Sequence, residues 1–292
     1  MPRTNEITGI MGKAMTGARV TKRKAAHAAR AWLFTLTVFA SGSALQAPSF
    51  GAEPARIAGK PNLNGIWQAM GTANWNLEAH SASRIPSLWS TGALFSIPAG
   101  KSYVVSGKIP YKPEALKARD SFRAEWPKSD PETFCYLPGL PRAMYMPYPF
   151  QIIQSGTRDI LLAYSYATSN RMIFMGTPKE PPVDSWMGRS QGRWEGDTLV
   201  VTTTGFNGRA HLDRAGNHFS SSMKLTERFR LENPNVIRYE ATVEDPATYT
   251  APWTIRMPLY KHVESDAELL EHKCVPFADE LLYKDLELPG KP

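Results

Sequence analysis

From Phe150 to Cys274 the chain is a train of short β-forming segments, and that train limits the fold more than any other feature. The segments are 150–155, 158–166, 170–176, 188–194, 197–204, 222–231, 235–244, 252–261 and 267–275. Turn residues separate several of them, at Gly156-Thr157, Glu195-Gly196-Asp197, Asn233-Pro234-Asn235 and Asp245-Pro246. Alternation is strict in places. Ile237, Tyr239, Ala241 and Val243 take one face of their segment, while Arg238, Glu240, Thr242 and Glu244 take the other. Short connections predict antiparallel neighbours. An earlier segment, 61–67, ends in Trp67. Many short strands fit a sandwich or a closed barrel. Aromatic residues on the alternating apolar face favour one closed sheet around a pocket.

The motif Leu63-x-Gly65-x-Trp67 is one with which small antiparallel barrels such as lipocalins open, its glycine letting the Trp lie across the barrel floor. The expected fold is therefore all-β: an antiparallel lipocalin- or calycin-like barrel with one flanking helix and long irregular N-terminal segments. The helix is expected over 113–126. Pro113 suits a first turn, Glu114 complements the positive helix end, and Ala115, Ala118, Phe122 and Trp126 fall at helical spacing before Pro127 stops it. Residues 71–111 and the proline-rich stretch 130–149 have no clear period, so 71–149 reads as an insertion covering the barrel. Arg142 is the only cation of 130–149, embedded among Tyr136, Tyr145 and Tyr148. It can bind a carboxylate, stack on rings, or pin loop carbonyls.

The formal charge of +7 suggests an anionic partner, but its distribution argues otherwise. Residues 1–52 hold seven basic side chains and one acidic one, which leaves 27 basic and 26 acidic for 53–292. The body is nearly neutral, so no nucleic-acid partner is expected. The basic leader ends at Arg30, an apolar run follows over 31–40, and small residues lead to Gly51-Ala52. This is the pattern of an export signal. The run is shorter than the ~20 residues of a membrane-spanning helix, so no membrane span is expected in the mature chain. The absence of an Arg-Arg pair next to that run favours the general secretory route. The division is then an export signal at 1–52 and a single barrel domain at 53–292, with a periplasmic or secreted bacterial location. In an oxidising compartment the two cysteines, Cys135 and Cys274, make one disulfide or remain two buried thiols. With no C-x-x-C spacing there is no zinc signal, and neither a metal nor a cofactor is expected.

Candidate chemistry gathers in one loop. His211, Asp213 and His218 can serve as acid–base groups, or form a polar rim in which Asp213 fixes backbone. Their spacing matches no metal-binding signature. By strand parity Glu227 shares a face with Leu225 and Phe229, which predicts an inward carboxylate. It acts as a general acid or pairs with an inward arginine, Arg142 or Arg256. Arg142, Tyr145, Trp186, Met187, Trp194, Tyr239, Tyr249 and Trp253 are the candidate ligand-binding residues, or else ordinary core. Ser190 and Ser220 lack a nucleophile-elbow context, and no phosphate-binding glycine loop is present.

The segment 186–201 reads W-M-G-x-S-x-G-R-W-E-G-D-T-L-V-V. T-G-F-N, L-D-R-A-G-N and E-A-T-x-E-D-P follow it, C-Y-L-P-G-x-P-R and M-P-Y-P-F-Q-I-I-Q precede it, and L-L-E-x-K-C-V comes near the end. This set resembles a large group of exported bacterial proteins, abundant in proteobacteria and mostly hypothetical. The likeness covers almost all of 61–285. It implies an exported protein with one conserved architecture and brings no activity with it. The group commonly has N-D-x-T-W-x-D-R-A-G-N-F-H-S-D where this chain runs from Asn207 to Ser221. The usual Trp is His211 and the usual His is Phe219, with His218 one place earlier. Two usual acids are Gly208 and Ser221. Chemistry seated at that histidine would be lost or altered here, unless loop slippage brings His218 to the same space.

These readings lead to one functional expectation, an exported barrel that binds a small apolar or aromatic molecule in an internal pocket. The alternatives are a cofactor-independent lyase, cyclase, isomerase or hydrolase at the barrel mouth, and an envelope interaction protein.

Overall fold

A computed structural model describes residues 55–84 and 96–278. Residues 1–54, where the export signal is expected, 85–95 and 279–292 lie outside the described residues. A small hairpin of β1 (Arg56–Ile57) and β2 (Lys60–Pro61) comes first. The strands β3 (Gly65–Ala69), β4 (Phe150–Ile153), β5 (Ile160–Tyr164), β6 (Asn170–Phe174), β7 (Arg189–Glu195), β8 (Thr198–Thr204), β9 (Lys224–Asn233), β10 (Val236–Glu244) and β11 (Trp253–Lys261) follow. These nine close into one barrel in the order β10-β11-β3-β4-β5-β6-β7-β8-β9. The expected alternation drives the closure. Ile237, Tyr239, Ala241 and Val243 of β10 are wholly buried, and they pair across to Leu259, Met257, Ile255 and Trp253 of β11. The β7–β8 hairpin turns at Gly196, whose φ of +59° suits glycine.

The barrel is mixed rather than wholly antiparallel. β6 and β7 run parallel, pairing Ile173 with Ser190 and Phe174 with Gln191. The short-connection argument fails here because 175–188, rich in Gly and Pro, is long enough to carry the chain back along the barrel. The segment 267–275 is not a strand. It makes one isolated bridge, His272 to Tyr166. The physical reason is closure: β9, β10, β11 and β3 already pair with one another, so no free edge remains for a tenth strand. The disulfide Cys135–Cys274, with Cα atoms 5.5 Å apart, ties this tail to the proline-rich segment instead.

The barrel axis is packed with side chains. Trp67, Phe150, Phe229 and Tyr239 are fully buried, and Trp67 Nε1 donates to Leu63 O at 2.9 Å. A Cβ on Gly65 would lie 2.5 Å from Lys261 Cε, so glycine lets the strand pass beneath that side chain. Glu227 points inward as its parity requires, but its partner is Arg171 of β6. Arg142 lies outside the barrel wall pairing, and Arg256 pairs with Glu240 at 2.7 Å on the exposed face. Arg171 Nη1 and Nη2 both donate to Glu227. Its Nε donates to Ser190 Oγ at 2.7 Å and its Nη2 also to Thr203 Oγ1 at 3.0 Å, while Tyr239 OH donates to Glu227 Oε1 at 2.8 Å.

The one α-helix among the described residues, α1 (Pro113–Ala124), buries no residue completely. It is held from outside. The loop after β8 approaches so closely that a Cβ on Gly216 would lie 2.6 Å from Arg119 O. Leu77, Val104 and Ile109 of the covering stretch are buried with the core.

Because the Arg171–Glu227 pair is dry and complete, removing one charge leaves the other stranded. Glu227→Gln is expected to cost about 3–5 kcal/mol in denaturant unfolding, whereas Arg171→Met with Glu227→Leu recovers most of it. A single substitution costing under about 1 kcal/mol would refute this account of the pair.

Candidate functional site

Beside the barrel, one guanidinium organises several loops. Arg142 sits in a short 3₁₀ turn (Arg142–Met144) and is 1% exposed. Its Nε donates to Asn74 Oδ1 at 2.8 Å. Its Nη1 and Nη2 grip Asp130 at 2.8 and 2.9 Å, and Nη2 also reaches Glu132 Oε2 at 2.5 Å. Asp130 in turn caps the 3₁₀ turn Pro131–Phe134, accepting from Glu132 N at 3.0 Å. Glu132 is shared. Arg214, from the loop after β8, donates to it through Nε at 2.9 Å and Nη2 at 2.7 Å. Burial acts to raise the Glu132 pKa, but the guanidiniums of Arg214 and Arg142 outweigh it and hold the group at about 2. Arg214 also lies over the rings of Trp75 at 4.4 Å and Trp126 at 5.8 Å.

Arg214 and Glu132 form the floor of a surface cleft of about 190 Å³. Trp126, at the end of the helix, makes one wall. Tyr148, Tyr166 and His272 make another, with Phe277 and the disulfide's Cys274 beside them. Tyr148 and His272 stack at 4.2 Å between ring centres. Tyr166 OH donates to Glu132 O at 3.1 Å, and burial raises its pKa, so the phenol stays neutral. The tail is docked by His272 N to Ser165 O at 3.3 Å and by Phe277 N to Thr133 O at 3.1 Å, besides the disulfide.

The expected site residues fall into three places. His211, Asp213 and His218 do come together, in the loop beneath α1. Phe122 of that helix packs on His211 at 4.7 Å and on His218 at 5.2 Å. Asp213 accepts four hydrogen bonds, from Leu77 N, Ala215 N, Asn217 N and Asn217 Nδ2. It therefore fixes the loop that presents Arg214. Burial pushes its pKa up to about 6 against those donors. Burial likewise lowers His211 to about 4 and lowers His218. Glu227 is apart from this loop, inside the barrel; no hydrogen bond or ion pair joins them among the described residues.

The expected ligand-binding residues are dispersed. Met187, Tyr239, Tyr249 and Trp253 belong to the core, and Tyr145 donates its OH to Leu212 O at 2.8 Å. Trp186 is half-buried and stacks on Tyr136 at 4.9 Å, while Trp194 sits under Lys60. Of the eight, Arg142 alone bears on the cleft, through Glu132. The sequence pattern places Trp126 in the helix and Arg214 in a loop whose polar groups fix backbone, and it assigns none of Trp126, Tyr166, Arg214 and His272 to a site. A signal for His272 existed: it stands two places before Cys274, and a Cys135–Cys274 pairing would have carried it toward the proline-rich segment.

The chain matches no protein-family model, no curated protein and no solved structure.

The buried histidine gives a pH test. Folded His211 takes its proton only near pH 4, whereas an unfolded histidine does so near pH 6.5. Between those values the unfolded chain holds more protons, so acid destabilises the fold; the effect is absent above about pH 6.5 and complete below pH 4. Asp213 acts in the opposite sense, since its folded pKa of about 6 exceeds the unfolded value near 3.9, which makes the comparison of variants necessary. The stability advantage of wild type over His211→Phe is expected to fall by about 2–3 kcal/mol between pH 7 and pH 4.5, measured by urea unfolding. A pH-independent difference would show that His211 is not sealed.

Proposed function

We propose that this is an exported protein that binds a small ring-bearing molecule in the cleft between Trp126 and the Tyr148–His272–Tyr166 wall. One observation carries the reading: aromatic side chains from three distant stretches of the chain line a single open recess over a rigid charged floor. Apolar walls with a few fixed polar groups are the usual make-up of small-molecule sites. The barrel axis is filled by Trp67, Phe150, Phe229 and the Arg171–Glu227 pair, so the binding site moves from the interior to this cleft. Export is supported by the leader pattern of residues 1–52, by the disulfide, and by the resemblance to exported proteins. Among the described residues no helix is long and apolar enough to cross a membrane. Binding stands ahead of catalysis because the cleft's carboxylate, Glu132, is held by Arg142 and Arg214, its imidazole, His272, is stacked on Tyr148, and His211 and Asp213 are buried in loop-holding roles.

The test is native mass spectrometry on protein purified from its own cell envelope, with and without Trp126→Ala. A retained small-molecule adduct is expected in wild type, with affinity reduced about tenfold in the variant, equivalent to about 1.4 kcal/mol. Circular dichroism checks that the variant keeps its fold. No adduct in wild type, or an adduct indifferent to Trp126, would overturn the reading.

A further inference from the structure

The cleft carries more information than its rings. Its carboxylate is already engaged: both Glu132 oxygens receive arginine N–H groups. The Thr133 and Tyr166 hydroxyls spend their hydrogens on backbone carbonyls, Thr133 on Pro127 O at 2.8 Å and Asp130 O at 2.7 Å, Tyr166 on Glu132 O at 3.1 Å. The N–H donors are not all engaged. Arg214 binds Glu132 through Nε and Nη2 alone, leaving both hydrogens of Nη1 without a protein acceptor among the described residues. Trp126 Nε1 is buried with no hydrogen-bond partner. Lys273, on the exposed tail, lines the same recess.

Charge points the same way. The floor holds two arginines, Arg142 and Arg214, against two carboxylates, Asp130 and Glu132, and so balances. Lys273 then has no ion-pair partner among the described residues, Glu132 being the sole acidic residue of the lining. A ligand that completes this site brings acceptor oxygens and a negative charge together with a ring.

From the unfilled donors and the surplus cation at an aromatic cleft, we propose that the ligand is an aromatic carboxylate, its carboxylate meeting Arg214 Nη1 and Lys273 and its ring lying against Trp126. This rests on the binding reading above. Charge-assisted contacts to a carboxylate are among the stronger ones available. The Trp75 face beneath Arg214 and the grip of Glu132 fix the guanidinium before any ligand arrives.

The experiment is isothermal titration of the whole protein with 2-naphthoate and with 2-naphthamide, which share a ring system and differ in charge. The acid is expected to bind at least about tenfold more tightly, by an amount that shrinks as salt rises. Lys273 is exposed, so Lys273→Gln leaves the fold intact; it is expected to weaken naphthoate about fivefold and leave naphthamide unchanged. Arg214→Lys keeps the charge and loses the planar fork, and is expected to weaken the acid more, with folding checked by circular dichroism. Equal binding of acid and amide overturns the carboxylate and leaves the binding reading standing. Naphthoate binding untouched by Lys273→Gln and by a folded Arg214→Lys puts the acid elsewhere and overturns the assignment. Binding of neither probe overturns both.

Discussion

The Arg142 guanidinium is the interaction on which the region outside the barrel depends. A charge so deeply buried would cost several kcal/mol if left alone. Here its Nε, Nη1 and Nη2 all have acceptors, drawn from residues 74, 130 and 132. These acceptors come from two short stretches of irregular chain with no sheet to hold them, Asn74 in one and Asp130 and Glu132 in the other. A proline-rich segment cannot supply a ladder of its own hydrogen bonds, so side-chain bonds must hold it. Arg142 supplies them, and through the shared Glu132 it passes order to Arg214 and the loop after β8.

The barrel and this cap divide the work. The barrel is a closed, filled scaffold whose polar interior cluster is internally satisfied, so it presents nothing to solvent. Filling the axis makes it stiff and pushes any recess to the surface, where loops meet. The cleft then needs three stretches to stay together: the helix end at Trp126, the loop at Arg214, and the tail at 272–278. The tail has few backbone bonds and no strand partner. Its disulfide, spanning 139 residues of sequence, is what keeps one wall of the recess in place.

What the sequence made legible follows from periodicity. Strand alternation, turn residues and helix spacing are local, and they gave the β7–β8 hairpin, most strands, the 113–124 helix and the inward face of Glu227. The partner of Glu227 was not local. Arg171 sits in a strand of mixed pattern, Asn170-Arg171-Met172-Ile173-Phe174, where parity alone does not announce an inward charge. The tail 267–275 looked like a strand because apolar and polar residues mix there. Only barrel closure, a property of the whole sheet, excludes it. The cleft was illegible for the same reason. Trp126, Tyr148, Arg214 and His272 share no period and meet only after the disulfide and the Arg142 cluster have formed.

The loop 207–221 bears on the same point from another side. The expected likeness would put a histidine at 219; Phe219 is 2% exposed and packs edge-on to Phe206 at 5.5 Å. The same likeness would put an acid at 208, where Gly208 has a φ of +66° and a Cβ would lie 2.6 Å from Ser221 N. Position 208 has no room for a side chain in this conformation, and position 219 is an apolar core site that would bury an imidazole without a polar partner in the ring contact it makes. Both serve packing, and the polar work of the loop falls to Asp213 and Arg214. Asp213 spends its oxygens on four N–H donors of the covering stretch and the loop itself. That leaves Arg214 as the loop's one side chain that is fixed on one edge, covered on one face by Trp75, and open on the remaining edge. On the proposed reading, a loop with a core ring at 219 and a half-engaged guanidinium at a cleft serves to hold a ligand's charge.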